Sequence, residues 1–117
     1  MKLLTMIAVG LGATCVLAQD TLLTAEEFNS LIVNKTFRAK AVNGKTYDVQ
    51  LREGGSAVVS VDYNDVGRWR PNGPSGYCTS WNKQTMTENC YVIARREGKL
   101  AVLSADGKVG SWIDGIR

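Results

Sequence analysis

Residues 36–51 read TFRAKAVNGKTYDVQL, and this stretch decides the fold class. Apolar residues alternate with polar ones from Phe37, and the alternation resumes at Tyr47 after a turn. Successive side chains of a β-strand point to opposite faces, so this period of two predicts two strands, each with one buried face. The Asn43-Gly44 pair between them is typical of a type I′ turn. The stretch therefore predicts an antiparallel β-hairpin.

The same pattern continues toward the C-terminus, with turn residues about every eight to twelve positions. We predict a mainly β protein, in which one N-terminal helix precedes an antiparallel meander of about eight strands. Short strands of this number close into a small, lipocalin-like barrel, because closure removes exposed edges; a two-sheet sandwich is the alternative. The later strands are expected around residues 67–70, 77–81, 90–95, 100–104 and 109–113.

One helix is predicted before the strands, from Thr24 to Val33. Thr24 is a good N-cap, and Glu27 three residues later completes a capping box. Apolar residues at helical spacing then share one face. They are Ala25, Phe28, Leu31 and Ile32. We expect the helix to end near Asn34 and to plug one end of the barrel or cover one face.

Residues 1–18 have the layout of a secretion signal. Lys2 precedes an apolar run that extends from Leu3 to Leu17, and small residues before Gln19 favour cleavage after Ala18. A permanent anchor is disfavoured because a spanning helix needs about 20 apolar residues. Lipidation at Cys15 is disfavoured because no Leu stands three positions before it. Residues 19–117 are then one small domain, periplasmic or secreted, with no membrane span.

Two cysteines remain after cleavage, Cys78 and Cys90. In an oxidising compartment such a pair forms a disulfide, worth about 3 kcal/mol for a short loop. A metal or redox pair is the alternative, but the spacing is not CxxC and the chain has no histidine. If the cysteines lie opposite each other across a hairpin, the disulfide lies on one face of the hairpin, and several neighbouring side chains share the other face. They are Tyr77, Thr79, Trp81, Tyr91 and Ile93.

The absence of histidine removes Ser-His-Asp catalysis and the usual zinc sites. Asp62, Asp65 and Glu88 lie in or beside predicted turns, where carboxylates are common, so we assign no catalytic residue and predict no enzyme, cofactor or metal site. A net charge of +3 without a basic stripe argues against nucleic acid as a partner. Asn34-Lys35-Thr36 matches a glycosylation pattern, which we treat as chance.

Binding candidates are drawn from the aromatic and arginine residues. Trp69, Trp81 and Trp112 fall on different late strands; they either converge on a barrel mouth as an apolar ligand site or, as is usual, fill the core. Trp112 is alternatively a lid on one barrel end. Arg68 and Arg70 flank Trp69 on the opposite face of its strand. With the Arg95-Arg96 pair they would form an anion-binding patch or, as we favour, a solvated strand face.

Several of these residues form a pattern that resembles a group of small exported proteobacterial proteins of unknown function. The pattern combines a helix beginning LTAEEF, Gly67-Arg68-Trp69, then Cys78-Thr79-Ser80-Trp81 and Cys90. The resemblance implies a lipocalin-like or related small β-barrel and no established activity. Lipocalins themselves carry a GxW motif on the first strand, whereas Gly67-Arg68-Trp69 falls mid-chain.

We therefore expect a non-enzymatic periplasmic or envelope-associated binding protein that presents the loops at residues 71–76 and 82–89. An inhibitor of a cell-wall hydrolase is the second hypothesis, because Ser75-Gly76-Tyr77 is similar to the inhibitory loop of periplasmic lysozyme inhibitors, with different spacing. The third is a carrier of a small apolar ligand. The partner is thus an envelope protein or such a ligand. The candidate binding residues are Arg68, Trp69, Arg70, Ser75, Tyr77, Trp81, Tyr91 and Trp112.

Overall fold

The computed structural model describes residues 20–84 and 87–117. The predicted secretion signal, its cleavage site after Ala18 and the first domain residue, Gln19, lie outside the described residues, as do the two central residues of the predicted 82–89 loop. Within the described ranges, no helix has the length and apolar character needed to cross a bilayer.

The described residues form nine β-strands, one α-helix and one 3₁₀ turn. In chain order they are β1 (Thr21–Leu22), α1 (Ala25–Leu31), β2 (Thr36–Ala41), β3 (Thr46–Leu51), β4 (Ser56–Ser60), β5 (Asn64–Pro71), β6 (Gly76–Trp81), the 3₁₀ turn (Asn82–Gln84), β7 (Glu88–Arg96), β8 (Lys99–Leu103) and β9 (Val109–Ile116).

Strands β2 to β9 form a closed eight-stranded antiparallel barrel. Each pairs with the next along the chain, and β9 pairs back onto β2, where Ala39 lies opposite Ile113. This confirms the mainly β class and the closed meander, an architecture consistent with a lipocalin-like barrel, and it excludes the two-sheet sandwich. Closure leaves no unpaired strand edge in the barrel wall.

Strand β1 is an addition that the sequence pattern did not predict. Its two residues pair with β7 at Arg95 and Ala94, beyond the part of β7 that pairs with β6. Two residues are too few to show a period of two, so no sequence pattern marks this strand.

The alternation along the strands fills the barrel interior as expected. Inward residues of β2 and β3 such as Phe37, Ala39 and Leu51 are fully buried. Their outward neighbours Arg38 and Lys40 are exposed. The main core also contains Leu23, Phe28, Ile32, Val49, Ala57, Tyr77, Ile93 and Val102.

Helix α1 plugs one end of the barrel, and its capping box is present as predicted. The Glu27 backbone N–H donates to the Thr24 hydroxyl at 3.1 Å, and the Thr24 N–H donates to the Glu27 carboxylate at 3.0 Å. The helix ends at Leu31, earlier than predicted, because Val33 forms a β-bridge with Leu51. Ala25, predicted on the buried face, is exposed.

The β2–β3 hairpin forms where predicted, but the predicted turn type is wrong. A type I′ turn requires positive φ at both central residues. Gly44 has φ +96°, whereas Asn43 is not among the described non-glycine residues with positive φ. The Gly44 N–H instead donates to the Ala41 carbonyl at 2.8 Å, which places Val42 and Asn43 at the centre of the turn.

The Cys78–Cys90 disulfide is present, and it joins directly opposite residues of β6 and β7. Their Cα atoms are 3.9 Å apart, closer to the spacing of a non-hydrogen-bonded antiparallel pair than to that of a hydrogen-bonded pair. Tyr77 lies opposite Tyr91 on the other face of this hairpin. The predicted register of the hairpin is therefore confirmed.

Candidate functional site

An open groove of about 660 Å³ lies at the end of the barrel that α1 plugs. We call it the helix-end groove. Three chain segments form it: the C-terminal part of α1 and the residues after it, the β3–β4 turn, and the end of β5. It is lined by Asn29, Val33, Asn34, Glu53, Gly54, Gly55, Trp69, Arg70 and Pro71.

Trp69 is the half-buried aromatic wall of the groove. Its indole N–H donates to the Arg52 carbonyl at 2.6 Å, and its backbone N–H donates to the Gly55 carbonyl at 2.9 Å. Its ring centroid lies 6.3 Å from that of Phe28 in α1. Because the N–H is already bonded within the protein, the ring surface is what Trp69 offers to a ligand.

Asn34 holds α1 against the β3–β4 turn. Its side-chain Oδ1 accepts the Glu53 N–H at 2.8 Å, and its own backbone N–H donates to the Leu51 carbonyl at 2.8 Å. Asn34 has φ +63°, in the left-handed region that Asn tolerates better than most residues. The two bonds fix the groove's walls relative to each other.

Gly67 lets β5 and β6 approach closely, two residues before Trp69. A Cβ at this position would lie 2.1 Å from the Ser80 carbonyl oxygen, so any side chain would force the backbone to move. This gives the glycine of the Gly67-Arg68-Trp69 motif a packing role.

Arg68 and Arg70 are both exposed and flank half-buried Trp69 along β5, as predicted. Arg70 forms a two-bond ion pair with Glu88, at 2.9 and 3.0 Å. This contact lowers the pKa of Glu88 and raises that of Arg70, chiefly through the side-chain hydrogen bonds.

The anion-binding patch, the alternative to a solvated strand face, is not assembled in the described structure. Arg95 pairs with Glu27 at 2.8 Å, and Arg96 pairs with Asp20 at 2.5 Å. Both lie at the far end of β7 from Cys90, whose partner Cys78 is the residue opposite Arg70. Arg70 is therefore an exposed strand residue, and Arg95 and Arg96 are half-buried ones, each with its own acidic partner, whereas Arg68 is exposed on β5.

Ser75 and Tyr77, the predicted inhibitory-loop residues, are both buried, at 4% exposure each. The Ser75 carbonyl accepts the Ile93 N–H at 2.9 Å, which joins this part of the loop to β7. Gly76 cannot accept a side chain, because a Cβ there would lie 2.4 Å from the Asn72 carbonyl oxygen. Of the predicted loop, residues 71–74 are exposed.

Trp81 and Tyr91 line a second space, inside the barrel, of about 100 Å³. We call it the interior cavity. Tyr77 also lines it, and its ring centroid is 5.4 Å from that of Tyr91. The Tyr47 and Ser111 hydroxyls, 2.6 Å apart, share a hydrogen bond at its wall.

Burial controls the ionisation of these tyrosines. It raises the pKa of Tyr77 well above its ordinary value of 10.0, and it raises that of Tyr91 to a lesser degree. Burial also raises the pKa of Tyr47, although the hydrogen bond with Ser111 acts in the opposite direction. All three hydroxyls therefore keep their protons at neutral pH.

Trp112 lies on the outside of the barrel and not at its end, so the predictions of a lid and of three converging tryptophans are wrong. It lies opposite Lys40 on β2 and Ala101 on β8, and it packs against a small second core. That core consists of Ala94, Ala101 and Leu103. Trp69 and Trp81 pack against the main core, where they line different spaces.

The three carboxylates considered for catalysis each have a separate structural partner. Asp65 is buried and accepts the backbone N–H groups of Val66 and Lys83, both at 2.9 Å. Asp62 pairs with Lys45 at 2.5 Å, and Glu88 pairs with Arg70. In the described residues, Glu88 and the two cysteines form the one compact group of potential metal ligands, but both sulfurs are bonded to each other.

Sequence reasoning identified Trp69 and Arg70 of the groove and included Pro71 in a predicted recognition loop. It missed Asn29, Val33 and Glu53, which come from α1, the segment after it and the β3–β4 turn. Asn34 was considered only as the end of the helix and for its glycosylation pattern. The one local signal at the turn was Glu53-Gly54-Gly55, which marks a turn and not a binding site.

The fold and this geometry define the class of the protein: a small, disulfide-bonded, closed eight-stranded antiparallel barrel with a helix plugging one end. Comparison of the chain with protein-family models, curated proteins and solved structures gave no match.

Proposed function

We propose that this chain is a non-enzymatic, exported binding protein, periplasmic or secreted, and that it takes its ligand or partner in the helix-end groove. The observation that carries the proposal is the contrast in volume between the groove, about 660 Å³, and the interior cavity, about 100 Å³. Small-molecule sites usually enclose about 300–1,000 Å³, which fits the groove and exceeds the cavity.

The groove favours a ligand with both apolar and polar surface. Trp69, Val33 and Pro71 supply apolar contact, and the exposed side chains of Asn29 and Glu53 supply hydrogen-bonding groups at its edge. A few polar groups around an apolar surface are the usual composition of a binding pocket. The Asn34 and Trp69 hydrogen bonds hold the walls in place before binding, which lowers the entropy cost of association.

We also propose membership of the small exported proteobacterial group that the motifs resemble. Its most specific residues have structural roles that support the proposal. Gly67 permits close strand packing, Cys78 and Cys90 join β6 to β7, and Trp81 lies on the opposite face of that hairpin. A disulfide is compatible with an oxidising compartment outside the cytoplasm.

Two other functions have less support from the geometry. For hydrolase inhibition, Ser75 and Tyr77 are buried, so a partner would first meet residues 71–74. We expect the purified protein to leave lysozyme activity unchanged at micromolar concentrations; inhibition that is lost when residues 71–74 are replaced would restore this hypothesis. Carriage of a small apolar ligand inside the barrel has less support because the interior cavity is smaller than a typical ligand site.

An NMR screen with a library of small amphipathic fragments tests the proposed groove. We expect the shifts of bound fragments to map to the amides of Val33, Gly54, Gly55 and Trp69. Shifts that map to another surface, or a library without hits, would contradict the proposal.

A matched pair of helix variants then tests whether the groove itself is the site. Asn29 and Ser30 are adjacent exposed residues of α1, but only Asn29 lines the groove. We expect Asn29→Trp to fill the groove and abolish fragment binding, whereas Ser30→Trp places the same ring outside it and leaves binding intact. Equal effects of the two variants would contradict the assignment.

A further inference from the structure

The interior cavity carries a separate inference, because several of its hydroxyl groups have no hydrogen-bond partner within residues 20–84 and 87–117. These groups belong to Tyr77 and Thr79, which are buried, and to Tyr91, which is half-buried. Tyr77 and Thr79 are only 4% and 2% exposed. The hydroxyls of Tyr47 and Ser111 at the same wall are bonded to each other, so the cavity contains both paired and unpaired groups.

An unpaired buried hydroxyl is unfavourable, because it has lost its bonds to water and gained none in the protein. Most buried polar groups in native proteins therefore bond to the protein or to ordered water. Polar cavities hold water, whereas empty cavities are apolar. The cavity's volume of about 100 Å³ corresponds to about three water molecules at about 30 Å³ each.

We infer that the barrel interior is a binding site for a small, neutral, hydrogen-bonding guest that bridges the hydroxyls of Tyr77, Thr79 and Tyr91. An apolar guest would leave these hydroxyls unpaired. No charged side chain is among the described residues lining the cavity, so an ionic guest would lose its hydration without a countercharge.

The tyrosine hydroxyls of the cavity can donate hydrogen bonds to such a guest. A tyrosine of ordinary pKa, 10.0, is protonated at neutral pH, and burial raises the pKa of Tyr77 further. The guest can be solvent water or a small polar solute, since both offer the same neutral acceptor chemistry.

Three probes distinguish the occupants in one set of NMR experiments. We expect nuclear Overhauser contacts from long-lived water to the amides of Tyr77, Thr79 and Tyr91, and no shifts at these amides under xenon. Acetamide then identifies the source: if it shifts these amides and removes the water contacts, the site takes small polar solutes, and if not, the guest is water. Xenon shifts without long-lived water would overturn the inference.

Tyr77→Phe gives an independent test, because it removes one hydroxyl and keeps the ring. If a polar guest bonds to Tyr77, the variant loses a water contact and its midpoint of urea unfolding falls below that of wild type. If the hydroxyl is unpaired, its removal leaves the midpoint unchanged or raises it, with unaltered water signals, and the inference fails.

Tyr63→Phe is the control for the tyrosine substitution, because Tyr63 is 42% exposed and lies outside the cavity. We expect it to change neither the midpoint nor the water contacts. Should Tyr77→Phe not fold, Thr79→Val removes a second unpaired hydroxyl at nearly constant shape. A wild-type midpoint and wild-type water contacts in Thr79→Val would count against the inference.

Discussion

The helix-end groove and the interior cavity differ in size, and they differ more in how their polar groups are satisfied. At the groove, the indole N–H of Trp69 and the amide oxygen of Asn34 are already bonded to the protein. In the cavity, the hydroxyls of Tyr77 and Thr79 are buried without a partner among the described residues. The groove is about 660 Å³ and the cavity about 100 Å³.

From this difference we expect the two spaces to take different occupants. A groove with a half-buried aromatic ring, whose Trp69 N–H and Asn34 amide oxygen are already bonded, gains from apolar contact, so it suits a larger ligand. A small cavity with unpaired hydroxyls gains from hydrogen bonds, so it suits water or a small polar solute. Closed barrels are often assumed to bind ligands inside, but here the side chains fill most of the interior, and we propose that recognition occurs at the plugged end.

Phe28→Ala is expected to have the largest effect of the variants considered. It should lower the free energy of unfolding by about 3–5 kcal/mol. Phe28 is 4% exposed and packs against Trp69 and Tyr77, so it joins the groove to the cavity. Urea denaturation measures the loss, and Asn29→Ala at the adjacent exposed position is the control, expected within about 0.5 kcal/mol of wild type. A loss below about 1 kcal/mol for Phe28→Ala would show that α1 does not anchor the groove.

Removing the disulfide is expected to lower the free energy of unfolding by about 3 kcal/mol. The local loosening should affect the strands that line the cavity rather than the groove. Cys78 and Cys90 join β6 to β7, whose inward residues Tyr77, Thr79 and Tyr91 line the cavity. In a Cys78→Ser, Cys90→Ser variant, we expect hydrogen exchange to show β6 and β7 losing protection before the β3–β4 turn. An even loss of protection across the barrel would contradict this division.

Thr24→Ala is expected to lower stability by about 1 kcal/mol, because it removes the hydroxyl that accepts the Glu27 N–H. The effect should concentrate in α1 and loosen the groove while the cavity amides keep their protection. Thr24→Ser retains the hydroxyl and should resemble wild type. Equal midpoints for Thr24→Ala and Thr24→Ser would mean that the capping box adds nothing to the groove's wall.

Acidification is expected to have the smallest effect, through Glu27. A hydrogen bond from the Thr24 backbone N–H, followed by one from Arg95, lowers the pKa of Glu27 below its ordinary value of 4.5. A lowered folded-state pKa contributes stability above pH 4.5, and that contribution is lost as pH falls through the folded-state value. The gap in urea midpoint between wild type and Glu27→Gln should therefore shrink below about pH 4.5. A gap that persists unchanged at about pH 3 would contradict this explanation.

Much of the fold was predictable from local pattern. The alternation from Phe37 to Leu51 determines which residues face inward, and Thr24 with Glu27 determines where α1 begins. The type I′ turn predicted at Asn43-Gly44 was wrong, because a dipeptide preference does not fix the number of loop residues. Strand β1 was missed, because two residues carry no period.

The candidate site was much less predictable. Trp69 was singled out for its residue type, but nothing local connects it with Asn29, which approaches it when α1 plugs the barrel. Nor does anything local connect it with Glu53, whose turn approaches it when β4 pairs with β5. Convergence of the three tryptophans was one alternative, but three residues on separate strands carry no local signal that relates their positions in the closed barrel. Trp112 lies outside the barrel, against the small second core, whereas Trp69 and Trp81 pack against the main core.

The dissociation constant of the tightest fragment from the screen, measured for wild type, Asn29→Trp and Tyr77→Phe, tests the central claim most directly. If the groove is the recognition site and the cavity is not, Asn29→Trp weakens binding by at least about tenfold, or about 1.4 kcal/mol, and Tyr77→Phe leaves it nearly unchanged. Binding that Tyr77→Phe abolishes and Asn29→Trp preserves would contradict the account, because the fragment would then occupy the barrel interior.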